Sequence, residues 1–515
     1  MKTTHQSLEK IFHKSHFQWI YELLGEYDKA RVYLVGGAVR DFFLGRSTKD
    51  YDFVVQGIRA KHLESFLKDR GQVNFVGRRF GVYKFNPKNN KNSSHFESFD
   101  IALPRSEQSQ YGTGHYRDFI IKTDHRLSIQ DDLSRRDFTI NAIGYDIREQ
   151  KIIDPFLGCD DIQKKIIRAV GVPQKRFAED YSRMLRALRF SCQLGFMLEK
   201  ETSRTIKKYS SRLEGLITQF EPKKNTDEKI RKVAYEIIAH EFVRAFVVDH
   251  NKALTLFDEH NIIKVLMPQL ERMKKCPQDP LWHSEGDVWT HTRLALSCTY
   301  GKKFIREFGN EEKDPLLLLA VLFHDLGKPY TLQTPKNDKV DRIHFYGHDR
   351  VGADKTRAIA ERLRFSSVSE YTISSDSLWW LVKNHLLLLN SDVNTMKHTT
   401  LEKYFFKDPY LGKLLLRLIF VDSLATIRKD GKTSLGNYRA CKKRLSTLTI
   451  RTSHTSELKK PLLTGFEVMK ECKIQSGKWV GDLLSQLREE QLAGRIVTKK
   501  DARIYVKKCN NTHRG

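Results

Sequence analysis

The chain has 515 residues, 40% hydrophobic and 11% aromatic, which excludes wholesale disorder and leaves room for about two to four domains. Lys and Arg outnumber Asp and Glu by 90 to 63, an excess of 27 positive charges that favours a polyanionic partner. The longest apolar runs, such as 316–323, fall short of the ~20 residues of a membrane span, and no signal-peptide or lipidation pattern appears, so nucleic acid is favoured over a membrane surface.

Up to about residue 155 the pattern mixes strands and helices. Residues 32–35 and 51–55 read as short buried strands, and Ile152-Ile153 as another. The first informative segment is Leu34-Val35-Gly36-Gly37-Ala38-Val39-Arg40-Asp41, a strand running through two glycines into a helical pattern. Gly36 and Gly37 would let backbone approach a phosphate, with Arg40 and the helix end supplying positive potential; a plain tight turn is the alternative. Asp50 and Asp52 follow, two apart in a strand pattern and therefore on one face. Two such carboxylates repel unless a divalent cation joins them, and Mg²⁺ does so while leaving positions for nucleotide phosphates; a solvated acidic face is the alternative. The polar stretch 86–94 reads as a surface loop. Asp100, in a further alternating segment, is a third acidic candidate or a sheet-edge acid.

From about residue 160 the periodicity turns helical, as over 179–194, 227–246 and 316–322, with a connector at 220–227 and a polar stretch at 451–460. Seven cysteines without a C-x-x-C pair fit reduced thiols in a cytoplasm.

LVGGAVRDFFLG…KDYDFVV, DDLSRRDFTINAIGYD at 131–146 and RFAEDYSRMLRALRF at 176–190 together resemble the bacterial (class II) tRNA nucleotidyltransferase and poly(A) polymerase family. A weaker likeness to its tail segment lies in LLTGFEV…GDLLSQLREEQLAGRI. The resemblance implies an α+β protein. A polymerase beta-like nucleotidyltransferase head with a mixed sheet would span 1–155, a helical neck and body 156–275, and an RNA-binding tail that grips the tRNA elbow 431–515. It implies template-independent addition of CCA to the tRNA 3′ end from CTP and ATP, with release of pyrophosphate. The alternatives are poly(A) synthesis, or partial CC- or A-addition. Asp50, Asp52 and Asp100 would be catalytic, and Mg²⁺ the cofactor.

Beside that resemblance, Arg136 is placed for phosphate or ribose and Asp137 for a sugar hydroxyl, where the bland reading is a helix start with salt bridges. On a helix Asp180 and Arg183 lie one turn apart. Asp180 can accept from an exocyclic amine while Arg183 donates to a ring nitrogen, a pattern that suits cytosine and adenine and leaves uracil and guanine mismatched. Arg186 and Arg189 continue the stripe and suit the triphosphate; an ordinary i,i+3 salt bridge in a basic helix is the alternative. The sequence departs from many relatives at Val172, which precedes Pro173, and at Tyr181, neither of which carries the proposed chemistry.

Downstream, His291, His324-Asp325 and Asp422 stand in the order H…HD…D, which resembles the HD phosphohydrolase superfamily, so 276–430 is expected to be an HD-like domain. Imidazoles and carboxylates suit Ni²⁺, Mn²⁺ or Zn²⁺, and a metal-bound water would attack a phosphoester at an RNA end. His348 and His385 are further candidates for the same pocket. A phosphohydrolase merely delivered to RNA by the basic head is the reading from another class.

Overall fold

The run 32–35 becomes the centre of strand β1 (Arg31–Val35), in which every residue after Arg31 is buried. In the computed structural model, which describes residues 12, 15–48, 50–76, 81–88, 98–109, 119–221, 226–389, 392–451 and 460–514, the chain divides into two units, Met1–Met267 and Pro268–Gly515.

The first unit is built on a seven-stranded sheet. β1 and β2 (Asp52–Gln56) pair antiparallel in its middle, setting Val35 opposite Asp52. β3 (Gly71–Val76), β4 (Val82–Pro87) and β5 (Phe99–Ala102) extend one side. A separate hairpin, β6 (Arg105–Ser109) and β7 (Phe119–Thr123), precedes β8 (Gly144–Asp146) and β9 (Lys151–Ile153), which extend the other. The order β3-β4-β5-β2-β1-β8-β9 contains one parallel pair, β2 with β5, and that pair sets Asp52 beside Asp100. The sheet is mixed, as expected.

Beyond the sheet the first unit is largely helical, with a two-residue parallel pair, β10 (Ile166–Ile167) and β11 (Met197–Leu198). The helix Ser182–Leu194 buries most of its surface and stops at Gly195, whose φ of 74° suits a left-handed cap. Two expectations are corrected here. β12 (Leu216–Glu221) pairs antiparallel with β13 (Thr226–Arg231), where a connector and the start of a helix were expected. The helix begins only at Tyr235. Leu216 is exposed, and Leu-Ile-Thr-Gln-Phe-Glu over 216–221 lacks the strict apolar–polar alternation that marks a half-buried strand. Residues 222–225 lie outside the described residues, as do 89–94 of the expected loop and 452–459 of the polar stretch.

The second unit is helical among its described residues. Pro315–Phe323 is apolar all round and wholly buried; Asp314 caps it by accepting from the Leu316 and Leu317 N–H groups at 2.8 and 3.3 Å. The last three helices, Gly465–Cys472, Lys478–Leu492 and Lys499–Arg514, enclose a core of their own around Val468, Leu483, Leu487 and Val506. Thr464 and Glu467 form a capping box at the first of them. Among the described residues no helix is long and apolar enough to cross a membrane, and all seven cysteines are free.

Candidate functional site

In the first unit a cleft of about 570 Å³ opens over the β2–β5 edge. Its floor carries Asp52 and Asp100, neighbours across the parallel pair. Lys84, opposite Asp100 on β4, reaches it at 3.3 Å. The Asp52 carboxyl is held above its ordinary value, first because the surrounding protein thins its hydration and then because Asp100 and Asp50 repel its charge, with Arg136 opposing. Such a pair favours a cation between the carboxylates. Asp50 precedes the strand, its carbonyl accepting from the Thr48 hydroxyl, and does not line the cleft.

Gly36 has a φ of 74° and sits beneath Arg136: a Cβ there would lie 2.7 Å from Nη1 of Arg136 and 3.5 Å from Oδ2 of Asp52. Gly37 begins the following helix, and a Cβ on it would stand 3.5 Å from Nη2 of Arg40. Arg40 itself turns inward. It is buried, donates to Oδ1 of Asn141 at 2.7 Å and pairs with Asp41 at 2.8 Å, so it braces the turn rather than lining the cleft.

The opposite wall comes from 135–137 and the helix Ser182–Leu194. Arg135 and Arg136 both pair with Asp132, a fully buried carboxylate that they hold below its ordinary value despite burial. Asp137 accepts from the Phe138 N–H at 2.8 Å and Asn141 at 3.1 Å, while its Oδ2 takes a bidentate grip from Arg186 at 2.9 and 2.7 Å. Burial pushes the Asp137 carboxyl up, but Arg186 and Asn141 prevail and hold it at about 2.

The sequence reading placed Asp180 and Arg183 on one continuous helix; that is corrected. Asp180 is extended and ends the helix Pro173–Glu179, and its carboxylate accepts the Ser182 N–H at 2.8 Å, opening the next helix. A side chain that bonds its own backbone two residues on competes with helix continuation. Both residues still line the cleft. Arg183 is steered by Glu179 at 2.6 Å and by the backbone carbonyls of Arg176 and Arg135. Arg189 points away, buried against Glu241 at 2.6 Å and Gln193 at 2.6 Å. The cleft thus gathers Asp52, Asp100, Arg136, Asp137, Asp180, Arg183 and Arg186, with Gly36 under Arg136, but not Arg40, Asp50 or Arg189. Arg105, Arg135 and Glu241 also line it, and no motif singled them out.

The second unit brings all six expected HD residues into one buried cluster. His291 lies on the helix Val288–Cys298, Asp422 on Pro409–Ala425, and His348 at the start of His348–Arg362. His324 and His385 cap the ends of Pro315–Phe323 and Ser375–Asn384. Nδ1 of His324, His348 and His385 faces the backbone carbonyls of Val321, Phe345 and Val382 at 2.8, 2.7 and 2.6 Å. Each Nε2 is thereby aimed at Asp325, standing 3.3, 3.5 and 3.8 Å from its carboxylate. His291 lies 3.0 Å from Asp422 and 3.8 Å from Asp325.

Two ligand groups meet at Asp325, one with His291 and His324, the other with His348 and His385. The fit to a cation is good. Among the described residues Nε2 of His348 and of His385 are buried without a hydrogen-bond partner, a costly arrangement that a metal ion would relieve. Three contributors escaped the sequence reading. Glu285 accepts from Nδ1 of His291 and of His283 at 2.8 and 2.7 Å, which hold its carboxyl at about 2 against burial. Lys328 is buried, 2.8 Å from both Asp325 and Gln278. A cavity of about 430 Å³ leads to Asp325 and Asp422 past Trp282, His283 and Tyr346.

The carboxylate-floored cleft and the histidine cluster define a nucleotidyltransferase head accompanied by an HD-type metal centre. Comparison with known proteins agrees. Residues 32–168 match the Poly A polymerase head domain and 293–413 the HD domain; His291 and Asp422 fall just outside the latter span. The chain is 32% identical over 338 residues to the multifunctional CCA protein of Xylella fastidiosa (strain 9a5c), covering 65% of this chain and 70% of the relative. It is 29% identical over 404 residues to that of Neisseria gonorrhoeae (strain NCCP11945), covering 78% and 85%. Among solved structures, the Bacillus stearothermophilus CCA-adding enzyme in complex with CTP superposes with a TM-score of 0.61 at 19% identity, over 97% of this chain and 99% of that one. The Thermotoga maritima CCA-adding enzyme complexed with tRNA_CCA does so with a TM-score of 0.58 at 19% identity, over 97% of each. The chain belongs to the multifunctional CCA protein family, within the tRNA nucleotidyltransferases and poly(A) polymerases.

Proposed function

We propose that this chain adds C, C and A to the 3′ end of tRNA from CTP and ATP without a nucleic-acid template, using Asp52 and Asp100 as the carboxylate floor and Asp50 as their partner. The observation that carries the site assignment is the pairing of Asp52 with Asp100 in the cleft that Arg136 also lines, which joins a cation site to a phosphate donor. Mg²⁺ held there would neutralise the departing pyrophosphate and ease loss of the 3′-hydroxyl proton. The RNA 3′-oxygen bonds to the α-phosphorus in line with the bond to pyrophosphate, which breaks. Arg136 and the exposed part of Arg186 hold phosphate oxygens, and Asp137 fixes Arg186 in place. Asp180 accepts from the exocyclic amine of cytosine or adenine while Arg183, oriented by Glu179, donates to the ring nitrogen.

On this reading 1–155 is the head, 156–275 the neck and body, 276–430 the HD part and 431–515 the tail. The cysteines, free throughout, support a cytoplasmic setting. The test supplies purified protein and Mg²⁺ with tRNA ending at the discriminator base, at C and at CC, and labelled CTP or ATP. Incorporation of C, C and A that stops there and is lost in Asp52→Asn is expected; open-ended ATP addition would make the chain a poly(A) polymerase, and CTP-only or ATP-only extension a partial enzyme.

Nε2 of His348 and of His385, without a hydrogen-bond partner among the described residues, favour a second activity. We infer that His291, His324, Asp325 and Asp422, with His348 and His385, hold Ni²⁺, Mn²⁺ or Zn²⁺ for hydrolysis of phosphoesters at RNA ends. The metal would supply an activated water, while Lys328, beside Asp325, offers a cation to the phosphate being attacked.

A further inference from the structure

The cavity of about 430 Å³ that leads to the HD centre lies within the ~300–1,000 Å³ of small-molecule pockets. Two residues that line it, Asp279 and Trp282, stand outside both ligand groups at Asp325. They share one turn, in which the Trp282 and His283 N–H groups donate to the Asp279 carbonyl at 3.0 and 2.9 Å. The turn is tied to 427–429: the Ser284 N–H donates to the Ile427 carbonyl at 2.8 Å, and the Lys429 N–H to that of Leu281 at 3.1 Å. On this fixed support Trp282 leaves 44% of its surface exposed. Asp279, by contrast, is buried. Its Oδ1 accepts the Leu281 N–H at 3.0 Å, and among the described residues its buried Oδ2 has no hydrogen-bond partner. An unpaired buried acceptor is costly, and a donor on a ligand would relieve it.

We propose that Asp279 and Trp282 make the HD centre selective for a ribonucleoside: the indole stacks on the base, and Oδ2 of Asp279 accepts a hydrogen bond from the ribose hydroxyl beside the phosphoester. This rests on the reading of the second unit as a metal-dependent phosphohydrolase of RNA ends. A carboxylate repels phosphate, so Asp279 marks the sugar side of the cavity and Lys328, beside Asp325, the phosphate side. The two sides are close, because Lys328 donates to Gln278 at 2.8 Å and Gln278 directly precedes Asp279. Consecutive Cα atoms stand about 3.8 Å apart. A ribose hydroxyl neighbours its phosphoester on that scale, whereas the amines of the base lie several bonds further on, and this favours the hydroxyl as the donor. The terminal torsion of an aspartate is soft, so Oδ2 turns readily toward a bound sugar. Stacking tolerates any base, since each has a π-face, while the hydroxyl separates RNA from DNA. The subsite therefore takes RNA ends of any sequence and disfavours deoxy ends. A 2′,3′-cyclic phosphate, with no free hydroxyl at that position, gains nothing from Asp279.

The test uses the full chain with Mn²⁺ and follows phosphate released from adenosine 3′-monophosphate, 2′-deoxyadenosine 3′-monophosphate and ethyl phosphate. The ribonucleotide should exceed the deoxynucleotide in kcat/KM by about 10–100-fold, the scale of one hydrogen bond to a charged acceptor. Asp279→Asn keeps an acceptor for the Leu281 N–H and sets an amide donor in place of Oδ2, so that ratio should fall to about one. Trp282→Ala should lower both nucleotides relative to ethyl phosphate by about 5–150-fold, the scale of one stacked base, and Trp282→Phe should restore most of the loss. Equal rates on the two nucleotides in the unmodified chain, or a ratio that survives Asp279→Asn, would overturn the proposal and leave the phosphohydrolase reading standing. If no phosphate is released from any of the three, it is that reading which fails, and calorimetric titration with the two nucleotides then decides the subsite. The ribonucleotide should bind about 10–100-fold more tightly to the unmodified chain and no more tightly to Asp279→Asn. Equal affinities in the unmodified chain would overturn the proposal there too.

Discussion

The Cβ that Gly36 lacks would stand 2.7 Å from Nη1 of Arg136. The guanidinium cannot simply back away, because it is tied to Asp132 at 3.3 Å and to the Asn141 carbonyl at 3.4 Å. The φ of 74° adds a second reason for glycine. Gly36→Ala should therefore displace Arg136 from the phosphate position while leaving the sheet intact. Nucleotide incorporation should fall about 10²-fold, the scale of a misplacement near 1 Å, and the strained backbone should lower the unfolding temperature by several degrees.

Asp52 and Asp100 face each other across the parallel strand pair, so removing one charge should disable the floor. Asp52→Asn should lower kcat by at least ~10²-fold, the scale for losing an electrostatic stabiliser, and should leave CTP binding measurable by quench titration. Asp100→Asn should do the same if Asp100 holds a cation. If it serves only as the partner of Lys84, the loss should be small and shared by Lys84→Met.

Asp137 supplies a pH-dependent term. Its folded value of about 2 lies below the ~3.9 of a free aspartate, so its contribution is fully present above about pH 4 and is lost as pH falls toward 2. The shift corresponds to about 2–3 kcal/mol, carried by the pair with the partly exposed Arg186 and by the Asn141 hydrogen bond. In urea unfolding, Asp137→Asn should be clearly less stable than the unmodified chain at pH 7, and the gap should narrow below pH 4. A gap that stays constant with pH would show that the carboxylate is not held charged by Arg186.

Asp180→Ala tests the reading of base identity. Losing the acceptor should cost CTP and ATP more than UTP, lowering the CTP-over-UTP ratio of kcat/KM by about 10–100-fold. Arg183→Lys should lower CTP incorporation too, since Glu179 and two carbonyls orient a planar fork that an ammonium does not reproduce.

These residues also mark how far the sequence could be read. The strands at 32–35 and 51–55, the carboxylates at 52 and 100, and the HD order were legible because buried strands and ligand doublets leave local patterns. The break at Asp180 was not, since the apolar spacing of 179–194 continues straight across it and only the carboxylate's bond to Ser182 ends the first helix. Arg40 looked like a phosphate ligand because its partner, Asn141, is distant in sequence. Glu285 carries no motif. Its role depends on two imidazoles that meet only after folding.

Glu285 provides the last prediction. One of its oxygens receives the Nδ1 contacts of His291 and His283, and the other accepts the Ile427 N–H at 3.0 Å. It touches neither Asp325 nor the cavity leading there, so it acts through His291 as a positioning residue. Removing its charge should leave the imidazole free to turn and make it a poorer ligand. Glu285→Gln keeps the shape and should weaken metal binding, followed by calorimetry with Mn²⁺ or Ni²⁺, by about 10–100-fold. Glu285→Ala should cost at least as much and also loosen Ile427. In both variants CMP incorporation into tRNA should be unchanged, because the HD residues take no part in the head's chemistry. Unaltered metal affinity in Glu285→Gln would show that Asp422 alone, at 3.0 Å from Nε2, sets the orientation of His291.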